Sequence, residues 1–163
     1  MPRSALDLVM GDLERFGRIP AESIAFALGR SHDGVASVKS VVLAEEPGVT
    51  RGFGHIRLSE RWMLRLTELC ELLEQAVVAQ FHSHPDGARH SDTDDHHLLH
   101  GPDILSVVVP SFARAPAMRE PDAWAVYRCG TGGYFRKTTV DAVTFVDAPT
   151  EPFLLSENGW RRA

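Results

Sequence analysis

Cysteine is scarce in this chain: there are two in 163 residues, Cys70 and Cys129, far apart and outside any C-x-x-C pair. A disulfide framework and a structural zinc ribbon are therefore not expected, since each needs several cysteines at fixed spacing. Long apolar runs are missing as well. No stretch approaches the roughly eighteen residues a membrane helix needs, and Met1-Pro2-Arg3-Ser4 opens into an amphipathic pattern rather than a signal-peptide core. The expectation is a cytoplasmic protein with no membrane partner. Positive charge is also in short supply, with seventeen Lys and Arg among twenty-two Asp and Glu and a formal net charge of −5. Phosphate backbones are bound by clustered cations, so nucleic acid is not expected as a partner, and Arg161-Arg162 reads as a solvated tail. Internal repeats and low-complexity tracts are absent. Gly52-Phe53-Gly54 is too short for a nucleotide loop and reads as a bend.

What the chain does contain fits one compact domain over residues 1–163, long enough to bury a substantial core. Leu6, Val9, Met10, Leu13 and Phe16 recur at helical spacing, which predicts a helix from about Ala5 to Phe16 that breaks at Gly17. Ser23 to Leu28 and Val35 to Leu43 read as strands joined through Ser31-His32-Asp33-Gly34 as a hairpin. Behind Ser59 as N-cap, Met63, Leu66, Leu69, Cys70 and Leu73 mark the apolar stripe of a second helix to Glu74. Strands are predicted at 76–81, 104–109, 123–128 and 134–140, the last two joined by the glycine-rich turn Gly130-Thr131-Gly132-Gly133. Ser111 to Pro121 reads as a mobile surface loop. The fold class is mixed α/β (α+β).

The chemistry concentrates after the strand Ala76 to Phe81. It runs into His82-Ser83-His84-Pro85, and seven residues beyond His84 comes Ser91, then Asp94. Side chains at i and i+2 of a strand share a face about 6.5 Å apart, so both imidazoles can converge on one ion. Pro85 has no amide hydrogen to continue a ladder and releases the chain into the loop Asp86 to His90. Ser91 then suits the N-cap of a short helix whose first turn returns Asp94 to the strand end. Two histidines and one carboxylate are the three protein ligands a catalytic zinc uses while its fourth position stays open. Each piece alone has an ordinary explanation: H-x-H arises by chance in a chain with eight histidines, and S-x-x-D is a capping box. Neither explanation accounts for the conjunction.

Those residues resemble the JAMM motif of the JAB1/MPN metalloproteases. The family also carries an upstream glutamate, usually in Pro-x-Glu-x-Cys-Gly leading to a further glycine. Pro20, Glu22 and Gly29 fall in that pattern, while Ile24 and Ala25 replace the Cys-Gly pair. The usual loop has six residues between the proline and the serine, and here five intervene, Asp86 to His90. Keeping the family's distance would make Asp95 the third ligand; keeping S-x-x-D makes it Asp94, the choice preferred here.

The resemblance implies a curled mixed sheet flanked by helices, related to the cytidine-deaminase architecture. It implies one zinc held by His82, His84 and Asp94, lowering the pKa of its bound water toward about 7. Glu22 becomes the general acid/base, and Ser91 a hydrogen-bond donor to the tetrahedral oxyanion. The implied substrate is a ubiquitin-like or sulfur-carrier protein, cleaved at a peptide or isopeptide bond of its C-terminal tail, with the tail laid along a strand edge.

Other readings stay open. His90, His96, His97 and His100 crowd the motif beside Asp92 and Asp95, where a second metal competes with plain solvent-facing histidines on a short helix. His82-x-His84-x-Asp86 also begins the H-x-H-x-D-H signature of metallo-β-lactamases, but Gly87 stands where its last histidine belongs. A non-catalytic MPN scaffold is the remaining alternative. Oligomeric state is not legible.

Overall fold

The computed structural model describes residues 1–90, 94, 99–131, 133–139 and 143–163. The first helix, α1 (Arg3–Gly17), begins two residues earlier than its periodicity predicts and ends at the expected glycine. A hairpin follows, β1 (Ile24–His32) and β2 (Val35–Ala44), turned by Asp33-Gly34 with both φ angles positive. Gly52-Phe53-Gly54, read from sequence as a bend, lies at the tip of a second hairpin that was not expected, β3 (Val49–Gly52) and β4 (His55–Leu58), with Phe53-Gly54 as its turn. Next comes α2 (Glu60–Leu73), whose N-cap Ser59 accepts a hydrogen bond from the Trp62 amide as expected. Strands β5 (Ala76–Ser83), β6 (Leu105–Val109), β7 (Ala125–Cys129) and β8 (Phe135–Thr138) lie where the sequence put them, within two residues. Two more, β9 (Glu151–Ser156) and β10 (Gly159–Arg162), were not expected. Arg161 and Arg162 thus belong to a strand, although their side chains are exposed and pair with Glu45 and Glu151.

Eight strands make one open mixed sheet in the order β10-β9-β2-β1-β5-β6-β7-β8. The pairs β2–β9 and β5–β6 are parallel and the rest antiparallel. The two helices cover opposite faces. On one face α1 sets Ala5, Val9, Met10 and Leu13 against Ala25, Val41, Phe81 and Val107. On the other, α2 sets Trp62, Leu66 and Leu69 against Phe26, Val42, Phe153 and Leu155. A strand buried on both faces reads as a continuous apolar run rather than an alternation, and β1 and β5 in the middle of the sheet do so.

Gly29 has a packing reason. It sits at a register shift between β1 and β2, where a Cβ would lie 2.0 Å from the Ser37 carbonyl oxygen, so any side chain would force the strands apart. No described helix is long and apolar enough to cross a membrane. Both cysteines are free, as their separation implied.

Candidate metal centre

His82 closes β5 in the middle of the sheet, opposite Ile24 of β1 and beside Val108 of β6. The strand ends at Ser83, before Pro85 as its missing amide requires, yet pairing runs on one step: the His84 amide donates to the Val109 carbonyl at 2.9 Å. Beyond it the His84 carbonyl accepts from the Phe112 amide at 2.7 Å. Backbone bonds on both sides therefore fix the second histidine although it lies outside the strand.

Extending the β1–β5 register by two residues places Glu22 across from His84. The Ser83 amide donating to the Ser23 carbonyl at 3.1 Å shows that the strands stay together there. Glu22 is anchored by its amide, which donates to the carbonyl of Gly52 at 3.0 Å and so seats the β3–β4 hairpin beside it.

Three donors converge. Nε2 of His82 lies 3.4 Å from Oδ1 of Asp94, and Nε2 of His84 lies 3.1 Å from Oδ2. The ligand atoms of the three residues are all within 4.8 Å of one another. Tetrahedral bonds of about 2.0–2.1 Å put neighbouring ligand atoms roughly 3.3 Å apart, close to the two histidine–aspartate separations. The His82 side chain is fully buried, and neither of its ring nitrogens has a hydrogen-bond partner among the described residues. A buried Nε2 that faces a carboxylate and a second imidazole without a satisfying hydrogen bond suits a metal ligand, although Nδ1 lacks, among the described residues, the outer partner that ligating histidines ordinarily have. The donor set suits a divalent cation such as zinc.

The electrostatics agree with that use. Burial pushes the His82 pKa down against the pull of Asp94, so its nitrogen lone pair is free at neutral pH. Burial also works to lower His84, but the Asp94 carboxylate, with Glu22 and Asp86, outweighs it and holds the ring above the ordinary value. Glu22, only 3 % exposed, rises from 4.5 to about 7, chiefly through burial; His84 opposes the rise and Asp94 adds to it. A carboxyl poised near neutrality beside a candidate metal site is suited to carrying protons.

On either side of Asp94 in the chain, His90 and Leu99 are held to the sheet. At one end the His90 amide donates to the Tyr127 hydroxyl at 3.2 Å, and its ring Nε2 lies 2.8 Å from the Ser106 hydroxyl. At the other the Gln80 side chain makes two bonds to Leu99, donating to its carbonyl at 3.1 Å and accepting from its amide at 3.0 Å. Gln80, Ser106 and Tyr127 are register neighbours across β5, β6 and β7. This polar stripe went unread in the sequence; the one signal was a glutamine inside an otherwise apolar strand.

His90 is not solvent-facing as expected. Its ring packs 4.5 Å from Tyr127 and 4.6 Å from Phe135, with His82 at 5.8 Å. His100 is exposed, with Nδ1 2.6 Å from the Gly133 carbonyl. Ser91, Asp95, His96 and His97 lie outside the described residues. Asp94, the third ligand preferred from the sequence, lies against both imidazoles.

The first three residues after Pro110 are not part of a loose surface loop, although most of those from Arg114 to Pro121 are exposed as expected. Ser111, Phe112 and Ala113 form a left-handed turn with φ of 53°, 53° and 55°, and Phe112 is buried. Each such residue costs about 1–3 kcal/mol unless its surroundings hold it. Here the Ser111 amide donates to Asp86 and the Phe112 amide to His84, while α1 closes over the turn at Gly17, where a Cβ would sit 2.1 Å from the Phe112 carbonyl oxygen.

No family model matches the chain. A protein of Sinorhizobium fredii named as a probable metalloprotease is 29 % identical over 118 residues, covering 71 % of this chain and 73 % of that one. Among solved structures, a protein of Desulfitobacterium hafniense superposes with a TM-score of 0.59 at 15 % identity, over 91 % of this chain and 94 % of that one. One from Salinibacter ruber does so at 0.50 and 23 % identity, over 81 % and 85 %. These two likenesses concern the fold alone.

Proposed function

We propose that the chain is a zinc-dependent peptidase of the JAMM type, cleaving a peptide or isopeptide bond at the C-terminal tail of a ubiquitin-like or sulfur-carrier protein. The His82–His84–Asp94 cluster and the likeness to the probable metalloprotease support a metal-dependent hydrolase. The finer reading rests on the motif and on one observation: Glu22 stands across from His84 with its pKa raised to about 7, where a proton carrier for hydrolysis belongs.

His82, His84 and Asp94 hold the cation. A bound zinc supplies Lewis acidity and makes hydroxide available near neutral pH. Glu22 takes a proton from the attacking water and passes it to the leaving amine, a double duty that favours a pKa near the working pH. Ser91 donates a hydrogen bond to the oxygen that gains negative charge as the carbonyl is attacked. Burial holds the His82 pKa below its ordinary value, which favours the neutral ring that a ligand must present.

The test is a ubiquitin-like protein fused through its C-terminal tail to a reporter. Cleavage at the tail is expected, stopping with a chelator and returning on addition of zinc. Equal cleavage in chelator, or an intact fusion with the zinc-loaded protein, would count against the proposal.

A further inference from the structure

We propose that Asp12, Ser23 and Ser83 form a buried clamp behind the centre, a positioning device that holds the strand end bearing Glu22 against the one bearing His82 and His84. The role assigned to it rests on the reading of Glu22 given above. Successive strand residues point to opposite faces. Glu22 and Ile24 share the α2 face with His82 and His84, so Ser23 and Ser83 face α1. There the Ser23 hydroxyl donates to Oδ2 of Asp12 at 2.9 Å, and the Ser23 amide donates to the Ser83 hydroxyl at 3.1 Å. The Ser83 amide returns a bond to the Ser23 carbonyl at 3.1 Å.

Each strand thus holds the other at the residue beside its functional side chains. Asp12 is 7 % exposed and both serines are fully buried, among the apolar side chains that α1 packs on the sheet. A polar cluster costs stability in such a place unless every member is satisfied, and satisfied clusters fix one geometry where apolar packing tolerates several. The β1–β5 ladder would otherwise fray here, since β1 begins only at Ile24 and β5 stops at Ser83. Beneath Asp12 lies Arg51, whose side chain is 4 % exposed and whose guanidinium stacks 3.9 Å over Phe16. Burial raises the Asp12 pKa, and the Ser23 hydrogen bond and the Arg51 charge oppose that rise.

The pair Asp12→Ala and Asp12→Asn, with Ser83→Ala, separates positioning from bulk stability, because asparagine keeps an acceptor for Ser23 and alanine does not. Two quantities are read on the full chain: amide hydrogen exchange at Ser23 and Ser83, and kcat with KM on the fusion substrate. Asp12→Ala and Ser83→Ala are expected to speed exchange at both amides and to lower kcat by about 10- to 100-fold with KM and bound zinc unchanged. Asp12→Asn is expected to restore both. In a Glu22→Gln background, Ser83→Ala should cost nothing further, since the group it positions no longer works. Unchanged exchange in both variants overturns the clamp whatever the protein cleaves. Faster exchange with unchanged kcat, or an equal kcat loss without Glu22, overturns the positioning role. A parent that cleaves no fusion defeats the peptidase reading, and exchange then still decides the clamp.

Discussion

Replacing Glu22 by glutamine is expected to lower kcat on a ubiquitin-like fusion by about 10²–10⁴-fold, the usual worth of a placed proton carrier, while bound zinc stays at the parent level. The glutamine fills the same space and keeps the amide bond to Gly52, so the loss is chemical rather than structural. Because the Glu22 side chain is buried, the same variant carries a stability signature. In the metal-free protein its pKa is about 7 against 4.5 for an ordinary glutamate, so between those values the folded state binds a proton that the unfolded state has lost. Stability from this group is whole below about 4.5 and declines as the pH rises through about 7. Glutamine does not titrate. Denaturant titrations should therefore show Glu22→Gln gaining on the parent as the pH climbs through that window, and a constant difference would contradict the raised pKa.

Trp62→Ala is expected to be the most destabilising substitution in the helical layers, at about 3–5 kcal/mol. The ring is fully buried between α2 and the sheet, 5.5 Å from Phe26, and its Nε1 donates to the Leu155 carbonyl at 3.0 Å. Truncation leaves a cavity and strips that carbonyl of a donor, adding about 1–3 kcal/mol of desolvation to the packing loss. Against a total of about 5–15 kcal/mol for a domain, the shift in the urea midpoint should be unmistakable. A change near that of an exposed residue would mean that α2 does not close the second core.

The features that local physics dictates were legible in the sequence. The strand before His82 is an apolar run cut by a proline and Ser59 caps α2, so these elements fall close to their expected places, while the hairpin turn read over Ser31 to Gly34 tightens to Asp33-Gly34 as β1 runs on to His32. The histidine pair was legible for the same reason, since a two-residue repeat on a strand fixes a shared face. Non-local features were not. Strand β9 pairs in parallel with β2 more than a hundred residues away, which leaves no local trace, and the proline at its second position speaks locally against a strand. The left-handed turn at Ser111–Ala113 contains no glycine or asparagine to announce it; tertiary bonds to Asp86 and His84 impose it. In α2 the stripe was read as Met63, Leu66, Leu69, Cys70 and Leu73 and left out Trp62, the largest fully buried side chain of the helix. The polar stripe Gln80–Ser106–Tyr127 exists only once three strands are in register.

The most direct test of the centre is zinc stoichiometry by elemental mass spectrometry on the purified parent, His82→Ala and Glu22→Gln proteins after loading and desalting. The account predicts one zinc per chain in the parent and in Glu22→Gln, and close to none in His82→Ala, because the three-donor cluster is broken. A parent that emerges without metal, or a His82→Ala protein that keeps as much as the parent, would contradict it.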